Sequence, residues 1–334
     1  MNPTGKIIVL AYPDTFVQVT DEWICRLFPL VGIGTREYIK AGHAALVLVE
    51  NETKNAFYYD FGRYVTPVGF GRVRGATTDV ELEIPFKAVL KDDNSLENLE
   101  AFLLWLDANP QLTHGEGRLL ASVCDLVDYK IARNHILNLQ AKGSMRYGAF
   151  GKTDSNCSRF VTNTILAATK EKRIRKALKF NKIFTPSPVG NVEKAATSTL
   201  VFQVLNGVVS EFQSSAFKEN LKNYFHKSRP VKELKYIPEV PSNAQKLEGA
   251  GSSAWFELVT EILPLHHFRI KRYNELHAVD FDGIYKTGEA FDEKLPYLFT
   301  YDSHCEVCHI IQFGKKIKFL KIDSFNSWQT SGSI

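Results

Sequence analysis

The hydrophobic pattern of the chain changes its period near residue 90, and this change constrains the fold more than any other feature. Up to about residue 86 the apolar residues form short β-branched or aromatic runs broken by Gly, Asn, Asp and Pro, which is typical of strands. From about residue 94 they recur at three- and four-residue spacing, which is typical of helices. The order of the two patterns predicts an α+β fold with an antiparallel sheet packed on helices.

The first part of the chain predicts four strands, at residues 7–10, 44–49, 56–61 and 80–84. The polar segment 51–55 joins the second and third runs, so these two should pair as a hairpin. The glycine-rich segment 69–75 lacks the strand-turn-helix context of a dinucleotide-binding fingerprint. We expect it to be a loop that lines a cleft.

The later part predicts helices over residues 95–109, within 116–141 and over 156–170, with a Gly-rich loop at 143–155 before the last one. The basic segment 170–182 is typical of a solvated helix face. Residues 241–253 have the composition of a linker, and the runs at 268–273, 298–301, 308–313 and 317–322 predict a small antiparallel β unit. We therefore predict a first domain over 1–190, a helical or irregular connector over 191–250, and a β-rich C-terminal unit over 251–334.

Charge and apolar content exclude several classes of protein. A net charge of +4 is too small to make nucleic acid the default partner. No window approaches the ~18 to 20 apolar residues of a membrane span, and the short N-terminal apolar run is typical of a strand rather than a secretory signal. Five cysteines fit a reducing compartment better than a disulfide framework. We expect a cytoplasmic protein with no nucleic-acid partner, no integral membrane segment and no cofactor.

Cys157 falls in the first turn of a predicted helix, where a thiol can become reactive. The unpaired backbone N–H groups and the positive end of the helix dipole stabilise a thiolate. Asp154, Ser155 or Asn156 could cap this helix. A catalytic thiol also needs a histidine base held by a third polar group. A buried structural cysteine is the competing interpretation.

His43 and Asp60 are the candidates for those two groups. His43 follows Gly42 and opens the first strand of the predicted hairpin, and Asp60 interrupts the aromatic run of the second strand. Antiparallel pairing should bring Asp60 roughly opposite His43. A buried carboxylate needs a partner, so Asp60 could instead pair with Arg63 or Arg72.

Two segments carry a resemblance to a known superfamily. Residues 156–161, Asn-Cys-Ser-Arg-Phe-Val, resemble the Asn-Cys-x-x-Phe-Val signature of lecithin retinol acyltransferase-like proteins. Residues 42–47, Gly-His-Ala-Ala-Leu-Val, resemble the histidine strand of the same permuted, NlpC-type papain-like superfamily. The resemblance covers about residues 5–190 and implies a circularly permuted papain-like fold with thiol-dependent acyl chemistry. Asp60 and the pair Ser158-Arg159 stand where the acyltransferase branch has a second histidine and Glu-His, which favours hydrolysis over lipid acyl transfer.

These observations predict a cysteine peptidase or amidase that cleaves amide or peptide bonds. Cys157 would be the nucleophile, His43 the base and Asp60 the orienting group. Substrate or oxyanion contacts are expected from Asn156, Ser158 and Tyr147. Two alternatives stay open, namely a binding or scaffold module with a vestigial site and a lipid acyltransferase or thioesterase.

A second cluster, Cys305, Cys308 and His309 with His304 beside it, matches the short c-type haem attachment pattern. Haem attachment needs an exported protein and an axial ligand, and the chain has only two methionines. Adjacent residues of a strand point to opposite faces, which disfavours zinc. We therefore predict no metal at this cluster.

Overall fold

A computed structural model describes residues 3–229 and 238–331 of the chain. Its strands are β1 (Gly5–Tyr12), β2 (Val17–Gln18), β3 (Tyr38–Ile39), β4 (His43–Glu50), β5 (Ala56–Gly62), β6 (Phe70–Arg74), β7 (Leu119–Val127), β8 (Met145–Arg146), β9 (Phe202–Leu205), β10 (Val208–Glu211), β11 (Gln245–Leu247), β12 (Ala254–Val259), β13 (His267–Tyr273), β14 (Val279–Lys286), β15 (Leu298–Thr300), β16 (Val307–Gln312) and β17 (Lys315–Ser324). Its α-helices are α1 (Leu99–Ala108), α2 (Pro110–Thr113), α3 (Tyr129–Gln140), α4 (Cys157–Ala168), α5 (Lys172–Asn181), α6 (Pro188–Ala195), α7 (Ala216–Tyr224) and α8 (Phe325–Thr330). Two 3-10 segments span Trp23–Val31 and Val80–Leu82.

The first sheet has eight strands in the order β10-β9-β7-β1-β4-β5-β6-β8, and each pair of neighbouring strands is antiparallel. Helices cover both of its faces: α3 to α6 pack on one face and α1 on the other. Strands β1 and β4 are therefore apolar at nearly every position rather than at alternate ones. The predicted hairpin of β4 and β5 is confirmed.

Three local predictions were wrong. Leu119–Val127 is strand β7 rather than helix, and it lies between β1 and β9. A short apolar run that is buried on both faces cannot be told from a buried helix by periodicity alone. Residues 80–84 contain a 3-10 turn instead of a strand: Leu82 and Ile84 pack in the core beside α1, and Glu81 accepts from Arg272 of the second sheet. Part of the predicted loop 69–75 is strand β6, which pairs with β5.

The predicted connector, residues 191–250, contains α7 and the hairpin of β9 and β10. Strand β9 pairs with β7, so this hairpin extends the first sheet. Residues 230–237 lie outside the described residues. The division of the chain into three domains stays a prediction.

The second sheet has seven antiparallel strands in the order β11-β12-β13-β14-β17-β16-β15. Its two edge strands, β11 and β15, lie close together, and Gln245 connects them. The Gln245 side chain accepts from the backbone N–H of Phe299 at 2.7 Å and donates to the carbonyl of Tyr297 at 3.2 Å. The sheet is therefore curled almost into a barrel around its own apolar core. The α+β class is confirmed as a mixture of helices and antiparallel sheets.

Candidate active site

Cys157 is the first residue of α4, as the sequence predicts, and Asn156 is its N-cap. The side-chain oxygen of Asn156 accepts from the backbone N–H of Arg159 at 2.9 Å, and its side-chain nitrogen donates to the carbonyl of Gly148 at 3.1 Å. Both polar ends of Asn156 therefore hold the helix start against the preceding loop. The backbone N–H of Cys157 has no partner within the helix.

The loop before Cys157 is fixed from two sides. The Glu22 carboxylate accepts from three successive backbone N–H groups, those of Ala149, Phe150 and Gly151, at 2.7, 2.8 and 2.9 Å. From the other side, the guanidinium of Arg159 donates to the carbonyls of Ala149 and Gly151. These charge-assisted hydrogen bonds fix the geometry of the loop and thereby the position of the Cys157 thiol.

His43 is the first residue of β4 and pairs with Tyr12 of β1 at the end of the sheet. Gly42, just before it, has φ of +77°. A Cβ at Gly42 would lie 3.0 Å from the carbonyl of Tyr12 and 3.3 Å from the Pro188 side chain. Glycine is needed there both for the backbone conformation and for the close approach of α6.

Asp60 lies diagonally across from His43 rather than directly opposite. Ala45 is the residue that pairs with Asp60 in the β4–β5 register, so the alternation of side chains puts His43 and Asp60 on one face. The distance from His43 Nε2 to Asp60 Oδ2 is 3.5 Å. The hairpin therefore places the Asp60 carboxylate beside His43, although Asp60 pairs with Ala45 and not with His43 itself.

Arg74 and Tyr64 complete this cluster, and the sequence did not predict either of them. Asp60 is fully buried and accepts from Arg74 Nε at 3.0 Å and from Arg74 Nη2 at 2.6 Å. The Tyr64 hydroxyl donates to Asp60 Oδ2 at 3.3 Å and lies 3.4 Å from His43 Nε2. The hydroxyl of Tyr58 also donates to Asp60 Oδ2, at 3.1 Å. The partners suggested from the sequence, Arg63 and Arg72, do not form this ion pair.

The charges of the three predicted residues support one another. Burial lowers the pKa of His43, but hydrogen bonds with Asp60 and Cys157 outweigh burial and raise that pKa to about 9. Burial raises the pKa of Cys157, but the hydrogen bond and charge of His43, with a backbone N–H from Ala44, hold that pKa below its ordinary value. Burial likewise opposes ionisation of Asp60, but the charge of Arg74, together with the hydrogen bonds from His43 and Arg74 and the charge of His43, outweighs burial and lowers the pKa of Asp60.

The other four cysteines have the opposite electrostatics. Burial raises the pKa of Cys124 and of Cys308 to about 12, and it also raises the pKa values of Cys25 and Cys305. All five thiols are free and buried. Cys157 therefore differs from the others in its partners and not in its exposure.

Ser158 and Tyr147, the other predicted site residues, both lie at the thiol. The Ser158 side chain helps to lower the pKa of Cys157, and Cys157 helps to raise the pKa of Tyr147, so both side chains lie close to the thiol. The Tyr147 ring stacks on Phe61 with a centroid distance of 5.9 Å and carries the guanidinium of Arg63 at 4.8 Å. Burial, followed by the charge of Cys157, raises the pKa of Tyr147, which keeps its hydroxyl protonated as a donor.

A cleft of about 610 Å³ opens beside this cluster, and both sheets contribute to its walls. His43, Tyr64 and Tyr147 line it on the side of the first sheet, and residues 250–254 and Arg272 line it on the side of the second sheet. The segment 69–75 was expected to line a cleft, and its residues Arg72 and Arg74 do so. His43 and Tyr147, which lie at the thiol, therefore face a space large enough for a ligand.

Cys305 and Cys308 lie far along the chain from this cluster, in the core of the second sheet. The thiol of Cys308 donates to the carbonyl of His304, and the hydroxyl of Tyr285 donates to the carbonyl of Cys305 at 2.7 Å. Burial lowers the pKa of His304 to about 3. These residues pack the C-terminal core. Among the described residues, no helix has both the length and the apolar content needed to span a membrane.

Comparisons with known proteins relate both parts of the chain to families. Residues 7–174 match the model of a family described as type VI secretion system effector TseH-like. Residues 244–322 match the model of the DUF6695 C-terminal domain. The crystal structure of the type VI secretion system effector TseH is similar at 17% identity and a TM-score of 0.42, over 63% of this chain and 99% of that one. No curated protein matches.

Proposed function

Because the chain belongs to the TseH-like family of type VI secretion system effectors, we propose that it is an effector enzyme that cleaves amide or peptide bonds through Cys157. One observation carries this proposal: Cys157 begins helix α4 beside His43, whose Nε2 lies 3.5 Å from the buried Asp60 carboxylate. In keeping with this arrangement, Cys157 is the one cysteine of the five whose pKa is lowered, and His43 is the cause that lowers it most. An effector acts after secretion, so the cytoplasmic location expected from the sequence stays a prediction.

The order of the site elements supports a permuted papain-like fold. The strand that begins with His43 comes first, the strand that carries Asp60 follows, and the helix that begins with Cys157 comes last. This is the order that the sequence resemblance implies. We propose that the first sheet with α4 is a circularly permuted papain-like unit.

The reaction would proceed through an acyl-enzyme. The Cys157 thiolate attacks the carbonyl carbon of the scissile amide, and the negative oxygen that forms accepts from the backbone N–H of Cys157 at the helix start. Protonated His43 gives its proton to the leaving amine, and a thioester remains. His43 then takes a proton from water, whose oxygen attacks the thioester and releases the carboxylic acid and the thiolate.

The walls of the cleft favour a polar substrate over a lipid chain. Within the described part of the chain, Leu276 is the one strongly exposed large hydrophobic residue that lines the cleft. The walls also carry many charged side chains, namely Arg63, Arg72, Arg74, Asp79, Glu81, Glu116, Arg229, Arg272, Glu275 and Asp280. A lipid acyl chain would need a continuous apolar surface, whereas a peptide can satisfy charged and polar groups.

Asn156 and Tyr147 receive different parts in this proposal. Asn156 uses both of its side-chain ends for contacts within the protein, so we assign it the structural role of the cap. Tyr147 contacts the thiol and lines the cleft, so we assign it to the contact with substrate. Ser158 is buried, and its side chain helps to lower the pKa of Cys157, so it would support the thiolate rather than the substrate.

Thiol alkylation tests the proposal without knowledge of the substrate. Iodoacetamide is applied to the full chain over a range of pH, and modification of each cysteine is followed by mass spectrometry. Cys25 is a matched control, because it is 4% exposed and Cys157 is 6% exposed. We expect Cys157 to react far faster than Cys25, with an apparent pKa below ~7.5. Equally slow labelling of both would reject the enzyme and support a binding module with a vestigial site.

A further inference from the structure

Val65 has an unusual backbone conformation beside the site. Its φ is +48°, in the left-handed region that a β-branched residue rarely occupies. Its side chain is buried, and it belongs to the apolar core of the second sheet rather than to either core of the first. A strained backbone conformation persists only where the surrounding structure holds it. The packing of the Val65 side chain in the core of the second sheet therefore holds this conformation.

Backbone hydrogen bonds from the C-terminal unit fix the same segment. The N–H of Val65 donates to the carbonyl of Ser252 at 3.1 Å, and the N–H of Gly251 donates to the carbonyl of Arg63 at 2.8 Å. Tyr64, between these two bonds, forms a parallel bridge with Ser252. The loop 249–252 therefore acts as a short extra strand along residues 63–65.

A buried ion network ties the carbonyl side of Tyr64 to the same unit. Arg72 Nε donates to the carbonyl of Tyr64 at 2.9 Å, and both Arg72 terminal nitrogens contact Asp79 at 2.7 Å. Asp79 also accepts from Arg272 Nη1 at 3.0 Å, and Arg272 belongs to β13 of the second sheet. Asp79, Arg72 and Arg272 are all buried. The network thus links the second sheet to the backbone of Tyr64.

We propose that Tyr64 is a positioning residue for the His43–Asp60 pair and that the C-terminal unit holds Tyr64 in place. The inference rests on the proposed function, because it concerns the reactivity of Cys157. The Tyr64 hydroxyl lies 3.4 Å from His43 Nε2 and 3.3 Å from Asp60 Oδ2. Both distances are near the upper limit for a hydrogen bond, so a shift of about 0.5 Å would break them.

Tyr64 acts through the ring of His43. Its oxygen can accept the proton of Nε2, and its own proton goes to Asp60, which leaves the other ring nitrogen of His43 for the thiol. Loss of these bonds leaves the His43 ring less firmly placed between Asp60 and Cys157, and the imidazolium then stabilises the thiolate of Cys157 less. The contact between the C-terminal unit and residues 63–65 therefore affects the fraction of Cys157 that is ionised, although Cys157 itself lies beside the first sheet.

Gly249→Ala tests the coupling from a distance. A Cβ at Gly249 would lie 2.5 Å from the Val65 nitrogen and 2.7 Å from the Arg63 carbonyl, so the loop must move away from residues 63–65. Gly288→Ala is the matched control, because nothing lies within 4 Å of a Cβ there. Both substitutions are made in the full chain. The readouts are the pH profile of Cys157 alkylation and the thermal unfolding midpoint.

We expect Gly249→Ala to slow alkylation of Cys157 at neutral pH by about two- to tenfold and to raise its apparent pKa, the effect of about one hydrogen bond. Tyr64→Phe should have the same effect, and Gly288→Ala should match the wild type. If Gly249→Ala does not fold, Gly251→Ala is the milder substitution, with its Cβ 3.2 Å from the Arg63 carbonyl.

The outcomes separate this inference from the proposed function. Slow labelling of Cys157 in the wild type would reject the proposed function. Fast labelling in the wild type with an unchanged pH profile in Tyr64→Phe would overturn the positioning role. If Gly249→Ala folds and keeps the wild-type pH profile while Tyr64→Phe changes it, the proposed role of the C-terminal unit in holding Tyr64 would be overturned.

Discussion

Asp60→Asn is expected to lower both the stability of the protein and the reactivity of Cys157. The carboxylate is fully buried and pairs with Arg74 through two hydrogen bonds. Asparagine has one oxygen, and its amide group would face a guanidinium that has no counter-charge. Breaking a buried ion pair by removing one partner costs about 3 to 5 kcal/mol. The retained amide oxygen places the expected loss near the lower end, at about 3 kcal/mol.

The effect on the thiol follows from the pKa of His43. The hydrogen bond with Asp60 is the largest favourable cause of the rise of that pKa to about 9. Without the carboxylate, burial is opposed by Cys157 alone, so the pKa of His43 should fall. The thiolate of Cys157 then loses its imidazolium, and each unit of increase in the thiol pKa reduces alkylation at low pH tenfold.

Chemical denaturation and the pH profile of alkylation measure these two effects. Because the pKa of Asp60 is lowered in the folded state, its stabilisation is fully present above the unfolded value of about 4 and is lost as pH falls. The part of the stability difference that comes from ionisation of Asp60 should therefore be constant above about pH 5 and shrink in acid. Asp282→Asn is the control, because Asp282 forms a similar pair with Arg269 on the second sheet. An Asp60→Asn protein with the wild-type alkylation profile would refute the reasoning.

Two further predictions concern single groups of the site. The imidazole of His43 should titrate near pH 9 by NMR, because Asp60 and Cys157 raise its pKa, whereas His135, whose pKa burial lowers, should titrate below 6.5; a His43 midpoint near 6.5 would contradict this order. Glu22→Gln should speed amide hydrogen exchange at residues 149–151 by about tenfold, because a neutral oxygen replaces a carboxylate that accepts three backbone bonds. Unchanged exchange would show that Glu22 does not fix the loop.

The parts of the fold that the sequence predicts are those that local signals specify. The hairpin of β4 and β5 and the helix start at Cys157 each come from one short segment, with Asn156 as a cap that the sequence can reveal. Strand β7 was not predicted, because burial on both faces removes the alternation of apolar and polar residues that identifies a strand. Such errors are physical, since tertiary packing and not the segment itself decides the structure there.

Arg74 and Tyr64 depend on contacts between distant segments. Arg74 lies directly opposite Asp60 in the β5–β6 register, and the alternation of Arg72, Val73 and Arg74 is the sequence signal that could have revealed this strand. Tyr64 has no such signal. Its position follows from the C-terminal unit, which meets it from nearly two hundred residues further along the chain, at Ser252.

The Asp60–Arg74 pair explains why geometry matters so much at this site. A carboxylate that already pairs with a buried guanidinium is nearly neutral as a unit, so its charge acts weakly on a neighbouring imidazole. The contact that Asp60 makes with His43 is short-range, because Nε2 lies 3.5 Å from Asp60 Oδ2 and 3.4 Å from the Tyr64 hydroxyl. A hydrogen bond depends steeply on distance and angle, whereas a charge acts over a longer range. The ionised state of Cys157 therefore rests on the placement of the His43 ring, and that is why the groups that hold this ring in place belong to the site.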